Sequence, residues 1–192
     1  MSEIILVTGG ARSGKSQYAE ALASKELYDA SNVVYIATAQ VTDEEMADRI
    51  LKHKAQRPEK WIRWERHRSF SDISLSENPF SNDDYETILL DDIGNLLMGV
   101  LFDEIPDADK CALPEFDRVE EIVIREIEML IEFTRTQNKR LILVTNEIGL
   151  GIVPVYRLSR YYRDILGRAN MFTAGLADRV VFLVSGIPLD LK

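Results

Sequence analysis

Near the N-terminus, Gly9-Gly10-Ala11-Arg12-Ser13-Gly14-Lys15-Ser16 fits G-x-x-x-x-G-K-S at every fixed position, and no other feature of the 192 residues limits the fold so tightly. Its context completes the signal. Ile4 to Thr8 is a short apolar run that reads as a strand, and Ser16 to Ala23 reads as a helix. Glycines let the backbone curl so that its N–H groups face phosphate oxygens, and the helix that follows offers its positive end. Lys15 is then placed for β- and γ-phosphates, and the Ser16 hydroxyl for Mg2+. The expected ligand is a nucleoside triphosphate held by Gly9, Gly10, Ala11, Arg12, Ser13, Gly14, Lys15 and Ser16.

The rest of the chain alternates in the same way. Strands are expected at Val33–Ala37, Trp61–Glu65, Thr87–Leu90, Leu141–Thr145 and Val180–Val184, the last taken as the final strand. Helices are expected at about 43–56, 93–102, 114–137 and 157–177, with Phe102–Pro114 as a surface loop. Apolar strands alternating with helices imply an α/β fold, a mostly parallel sheet with helices on both faces. With the phosphate loop, this reads as one P-loop NTPase domain of the RecA-like kind over 1–192, and the chain shows no repeat or linker.

A metal-holding carboxylate should end a neighbouring strand. Thr87-Ile88-Leu89-Leu90-Asp91-Asp92 supplies one, with Asp91 preferred and Asp92 as the fallback; Ser16 and Asp91 are the expected Mg2+ ligands. On a helix, Arg49, His53 and Arg57 share a face, so cations would keep the His53 imidazole neutral and draw in phosphate. A surface histidine on a charged helix is the plainer alternative. His67, between Arg66 and Arg68, reads as a surface residue. Asn146 to Pro154 leaves a strand end through two glycines and a proline, an irregular loop where α/β proteins bind ligands. Arg157, Arg160, Arg163 and Arg168 follow it as phosphate-compatible groups.

A formal charge of −9 argues against a track for nucleic acid. Cys111, the single cysteine, allows no internal disulfide and lies far from any motif. No apolar run reaches membrane-span length and Met1-Ser2-Glu3 opens no leader pattern, so a cytoplasmic protein is expected. From these residues alone, a P-loop small-molecule kinase and a nucleotide-dependent switch both stay open. The switch is the weaker, because no Asn-Lys-x-Asp guanine motif occurs.

The chain resembles the bifunctional adenosylcobinamide kinase/adenosylcobinamide-phosphate guanylyltransferase family of cobalamin synthesis, over nearly its whole length. The resemblance is carried by Leu6–Ser16, Tyr35–Ala39, Glu45-Met46 with Arg49-Ile50, His53, Arg57, Trp61, Val144–Pro154, Arg163-Asp164, Gly167-Arg168, Asn170 and Val184–Pro188. It implies that ATP or GTP phosphorylates adenosylcobinamide, and that a histidine then takes GMP from GTP and passes it to adenosylcobinamide phosphate. By the same resemblance His53 is the nucleophile. Ala37, Thr38, Ala39, Lys54, Ala55, Gln56, Arg57 and Glu65 are its guanine-nucleotide surroundings, the Asn146-Glu147 loop forms part of the rim, and the assembly is a homotrimer with corrinoid and nucleoside triphosphate as its small-molecule partners.

Overall fold

A computed structural model describes residues 2–24, 32–40, 58, 60–70, 80, 84–105, 107 and 110–192. Among these described residues seven strands form one sheet: β1 (Glu3–Gly9), β2 (Val33–Ala37), β3 (Ile62–Glu65), β4 (Thr87–Asp91), β5 (Arg140–Val144), β6 (Arg179–Val184) and β7 (Ile187–Asp190). Their order is β3-β2-β4-β5-β1-β6-β7, parallel throughout except for β7 against β6. The helices are α1 (Lys15–Ser24), α2 (Ile93–Glu104), α3 (Leu113–Thr136) and α4 (Arg157–Leu176).

Successive strand residues point to opposite faces, and the core divides accordingly. Ile4, Leu6, Ile36, Ile88, Leu90, Leu141 and Leu143 face α2, α3 and α4. Ile5, Val7, Val33, Leu89, Ile142 and Val144 face α1, which presents the small residues Ala19 and Ala23. The central strands are therefore covered on both sides, which explains their unbroken apolar runs. In α3 the buried stripe is Phe116, Val119, Val123, Ile127, Leu130, Ile131 and Thr134, at helical spacing. The α/β fold and both helical layers stand as expected.

Two expectations fail locally. β6 is not the last strand. Ser185 and Gly186, with φ of 51° and 83°, make a two-residue hairpin turn that returns the chain antiparallel as β7. Pro188 is tolerated there because β7 is an edge strand. The stretch Phe102–Pro114 is not simply a surface loop either: α2 runs on to Glu104, and Ile105 and Cys111 are buried under α3. Acidic neighbours disguise those two apolar positions. The expected helix at 43–56 lies outside the described residues.

Candidate active site

The phosphate loop joins the carboxyl end of β1 to α1. Gly9 has φ of 153°, and a Cβ there would stand 2.5 Å from the Leu183 carbonyl oxygen on β6, so only glycine fits. Gly14 also has positive φ, 93°, and the loop is propped from outside by Gly186 N–H donating to Ser13 O at 2.9 Å. Arg12 stands exposed at the tip with φ of 57°. Lys15 is buried, its ammonium donating to Gly10 O at 2.7 Å across the loop mouth. Among the described residues the Ser13 hydroxyl, buried inside the same loop, has no hydrogen-bond partner.

Strand register brings the acid to this loop. Asp91 is level with Val144 on β5, and Val144 with Val7 on β1, so the end of β4 lies two strands from the loop at its height. Ser16 Oγ donates to Asp91 Oδ1 at 3.3 Å, and Tyr35 Oη to Asp91 Oδ2 at 3.0 Å. An all-oxygen pair beside a phosphate loop suits Mg2+, which takes few protein ligands and completes its shell with phosphate and water. Asp92 faces elsewhere. Its Oδ1 accepts from Asn95 N–H at 2.6 Å, capping α2, and its Oδ2 accepts from Asn146 Nδ2 at 2.9 Å. Asn146 O in turn accepts from Asn170 Nδ2, whose Oδ1 accepts from Thr145 Oγ1 at 2.6 Å. The two adjacent acids thus divide their work, and no sequence pattern announces this carboxylate–amide chain into α4.

Ala37, Thr38 and Ala39 leave the end of β2 beside Glu65 at the end of β3, since Ala37 and Glu65 are register partners. Thr38 is buried, its hydroxyl donating to Asp92 O at 2.7 Å, and Glu65 pairs with Arg63 at 3.0 Å. Thr38 thus meets the end of β4 and Ala37 lies level with Asp91, while Glu65 stands one strand further out, on β3. His53, Lys54, Ala55, Gln56 and Arg57 lie outside the described residues. His67 departs from its surface reading: the ring packs on Gly99 of α2, and its Nε2 lies 2.9 Å from Asp103 Oδ2. The arginines of α4 are also engaged structurally. Arg168 grips Glu120, Arg163 pairs with Asp164, Arg157 covers the Phe116 and Tyr161 rings, and Arg160 binds loop carbonyls.

Against known proteins, the model of the cobinamide kinase / cobinamide phosphate guanyltransferase family matches residues 5–191. This chain belongs to that family. The bifunctional adenosylcobalamin biosynthesis proteins CobU of Escherichia coli (strain K12) and Salmonella typhimurium are each 42% identical to it, covering 98% of this chain and 99% of theirs. The CobP protein of Pseudomonas aeruginosa is 37% identical, over 97% of this chain and 96% of its own. Among solved structures, the flagellar accessory protein FlaH of Methanocaldococcus jannaschii superposes with a TM-score of 0.48 and 16% identity, over 99% of this chain and 78% of that one, a likeness too loose to bear on function. The resemblance carried by the motifs is borne out.

In this cobinamide kinase / cobinamide phosphate guanyltransferase family member, the site stores an electrostatic cost. Desolvation, then the Asp91 charge beside it, pushes the Asp92 carboxyl up to about 6. Burial pulls Lys15 below its usual value, and Asp92 and Asp91 pull it partly back. Tyr162 is raised by burial and by the Asp92 charge. Because the folded state holds the Asp92 proton more tightly than the unfolded one, stability falls as pH rises from about 4 to about 6, and the cost is complete above that. Asp92→Asn removes the charge but keeps an oxygen for Asn95 N–H. It should stabilise the protein at pH 7 by about 2 kcal/mol, the pKa displacement less one hydrogen bond to Asn146. Denaturant unfolding at pH 7 and pH 4 checks this: the gain should vanish at pH 4, and a variant less stable than wild type at pH 7 contradicts it.

Proposed function

We propose that this chain phosphorylates adenosylcobinamide with ATP or GTP, then carries GMP from GTP on His53 to adenosylcobinamide phosphate. The observation that supports it best is the convergence of Lys15, Ser16 and Asp91 at an intact phosphate loop, in a chain aligned end to end with bifunctional relatives. In the first reaction the hydroxyl of the acceptor's aminopropanol arm attacks the γ-phosphorus, the bond to the bridging oxygen breaks, and ADP or GDP leaves. The N–H groups of residues 9–16 and the start of α1 hold the phosphates, and Lys15 follows the charge that develops. Ser16 and Asp91 would hold Mg2+, which when bound would neutralise further charge on the phosphate oxygens.

In the second reaction the His53 imidazole attacks the α-phosphorus of GTP, a P–N bond forms, and pyrophosphate leaves. A phosphate oxygen of adenosylcobinamide phosphate then displaces the imidazole, giving adenosylcobinamide-GDP. Ala37, Thr38, Ala39 and Glu65, with Lys54 to Arg57, are assigned to the guanine nucleotide. We place this chemistry in the cytoplasm, where its substrates are, in a homotrimer of single-domain subunits; the exposed apolar residues Val184, Ile187 and Leu189 along the β6–β7 edge suit an assembly. No described helix is long and apolar enough to cross a membrane. The test supplies Mg2+, adenosylcobinamide and γ-labelled ATP or GTP. Label should move to adenosylcobinamide phosphate, and α-labelled GTP should then yield labelled adenosylcobinamide-GDP. Nucleotide hydrolysis with no label on the corrinoid would sink the reading.

A further inference from the structure

The loop that leaves β5 carries an apolar surface that no nucleotide explains. Leu150, Ile152, Val153, Val155 and Tyr156 are 60% to 96% exposed. Five large apolar side chains so close together are costly to leave in water, and patches of this kind mark binding surfaces. The loop is also held in shape. Gly149 N–H donates to Glu147 Oε1 at 2.5 Å, and Arg160 Nη1 donates to the carbonyls of Pro154 and Val155 at 3.2 and 2.5 Å.

Its position says what approaches it. β5 lies between β1, which delivers the phosphate loop, and β4, which delivers Asp91. The chain therefore leaves β5 from between the two elements assigned to the terminal phosphate, and Glu147 N–H is bonded to Gly9 O at 2.9 Å. An acceptor whose hydroxyl reaches that phosphate must hold the rest of its mass just outside. A corrinoid's mass is a broad macrocycle whose methyl groups offer apolar contact between the amide side chains of its periphery.

We infer that Leu150, Ile152, Val153, Val155 and Tyr156 form a preformed apolar rest for the corrin macrocycle, serving the acceptor in both reactions. This rests on the corrinoid acceptor proposed above and adds where it is gripped. A fixed surface lowers the ordering cost of binding a bulky ligand by one short arm. Because the same macrocycle is present before and after phosphorylation, both reactions depend on the rest equally.

Ile152→Ser and Val155→Ser test it, since neither residue is buried and neither should disturb the fold. Each should raise KM about tenfold for adenosylcobinamide in phosphorylation and for adenosylcobinamide phosphate in GMP transfer. KM for GTP and acceptor-free labelling by α-labelled GTP should match wild type, as should subunit number by light scattering. Corrinoid KM values equal to wild type overturn the inference, and so does a changed subunit number, which would make the loop an interface between copies. A wild-type protein that never turns over corrinoid would instead fail the proposed function itself, so the two failures are separable.

Discussion

Lys15→Met lowers phosphoryl transfer to adenosylcobinamide by roughly 10³-fold, the scale expected when one preorganised charge is taken from a transferring phosphoryl group. The size follows from where the ammonium sits. Lys15 is buried and held toward Gly10 O, so its positive charge is little screened by water. Burial lowers its proton affinity, which Asp92 and Asp91 stand close enough to restore in part. Without it, a triphosphate would enter a loop facing two carboxylates with no lysine between. The effect should therefore fall on kcat as well as on nucleotide affinity, because charge on the γ-phosphoryl oxygens and leaving group is redistributed in the transition state. Steady-state transfer from γ-labelled ATP or GTP gives the number, and circular dichroism with thermal melting shows that the variant folds. A folded variant losing less than about tenfold would mean that the bond to Gly10 is structural and that other groups carry the phosphate.

Much of this site is legible in the sequence, for local reasons. The phosphate loop is eight consecutive residues whose chemistry needs only a strand before and a helix after, and both are visible in apolar periodicity. The end of β4 is legible because an apolar run that stops abruptly at two acids marks a buried strand emerging at a polar site. What stays hidden depends on register between distant segments. Nothing local couples Asp92 to Asn146, 54 positions away; their meeting requires β4 and β5 to be neighbours and in step. His67 looks like a surface residue between arginines, yet Gly99 on α2 opens a space for its ring. The arginines of α4 are legible as cations but not as partners of Glu120 or of the Phe116 ring, since those partners come from α3. β7 escapes notice although its Ser-Gly turn is in plain view, because a short run containing proline makes a weak strand signal.

On the division of labour proposed above, His53→Ala should abolish covalent labelling of the protein by α-labelled GTP, while phosphorylation of adenosylcobinamide should stay within about threefold of wild type, since the γ-phosphoryl step is assigned to the loop and not to the imidazole. The chain contains two histidines, which makes the experiment sharp. His67 is a poor nucleophile on geometric grounds: its ring is packed on Gly99, with Asp103 on Nε2 and the Gln40 amide 2.9 Å from Nδ1. His67→Ala should accordingly keep the label. His53 follows Lys52 and precedes Lys54, with Arg49 and Arg57 four positions away on either side, the spacing that on a helix puts three residues on one face. Such cations favour a neutral imidazole and offset charge on the α-phosphate oxygens. The adduct should show the acid lability and base stability of a phosphoramidate, and added adenosylcobinamide phosphate should discharge it. Label that survives His53→Ala would place the nucleophile elsewhere and remove the second reaction in its present form. Loss of label together with loss of phosphorylation would mean instead that His53 supports the phosphate site as a whole, and the division between a loop that moves γ-phosphate and a histidine that moves GMP would not hold.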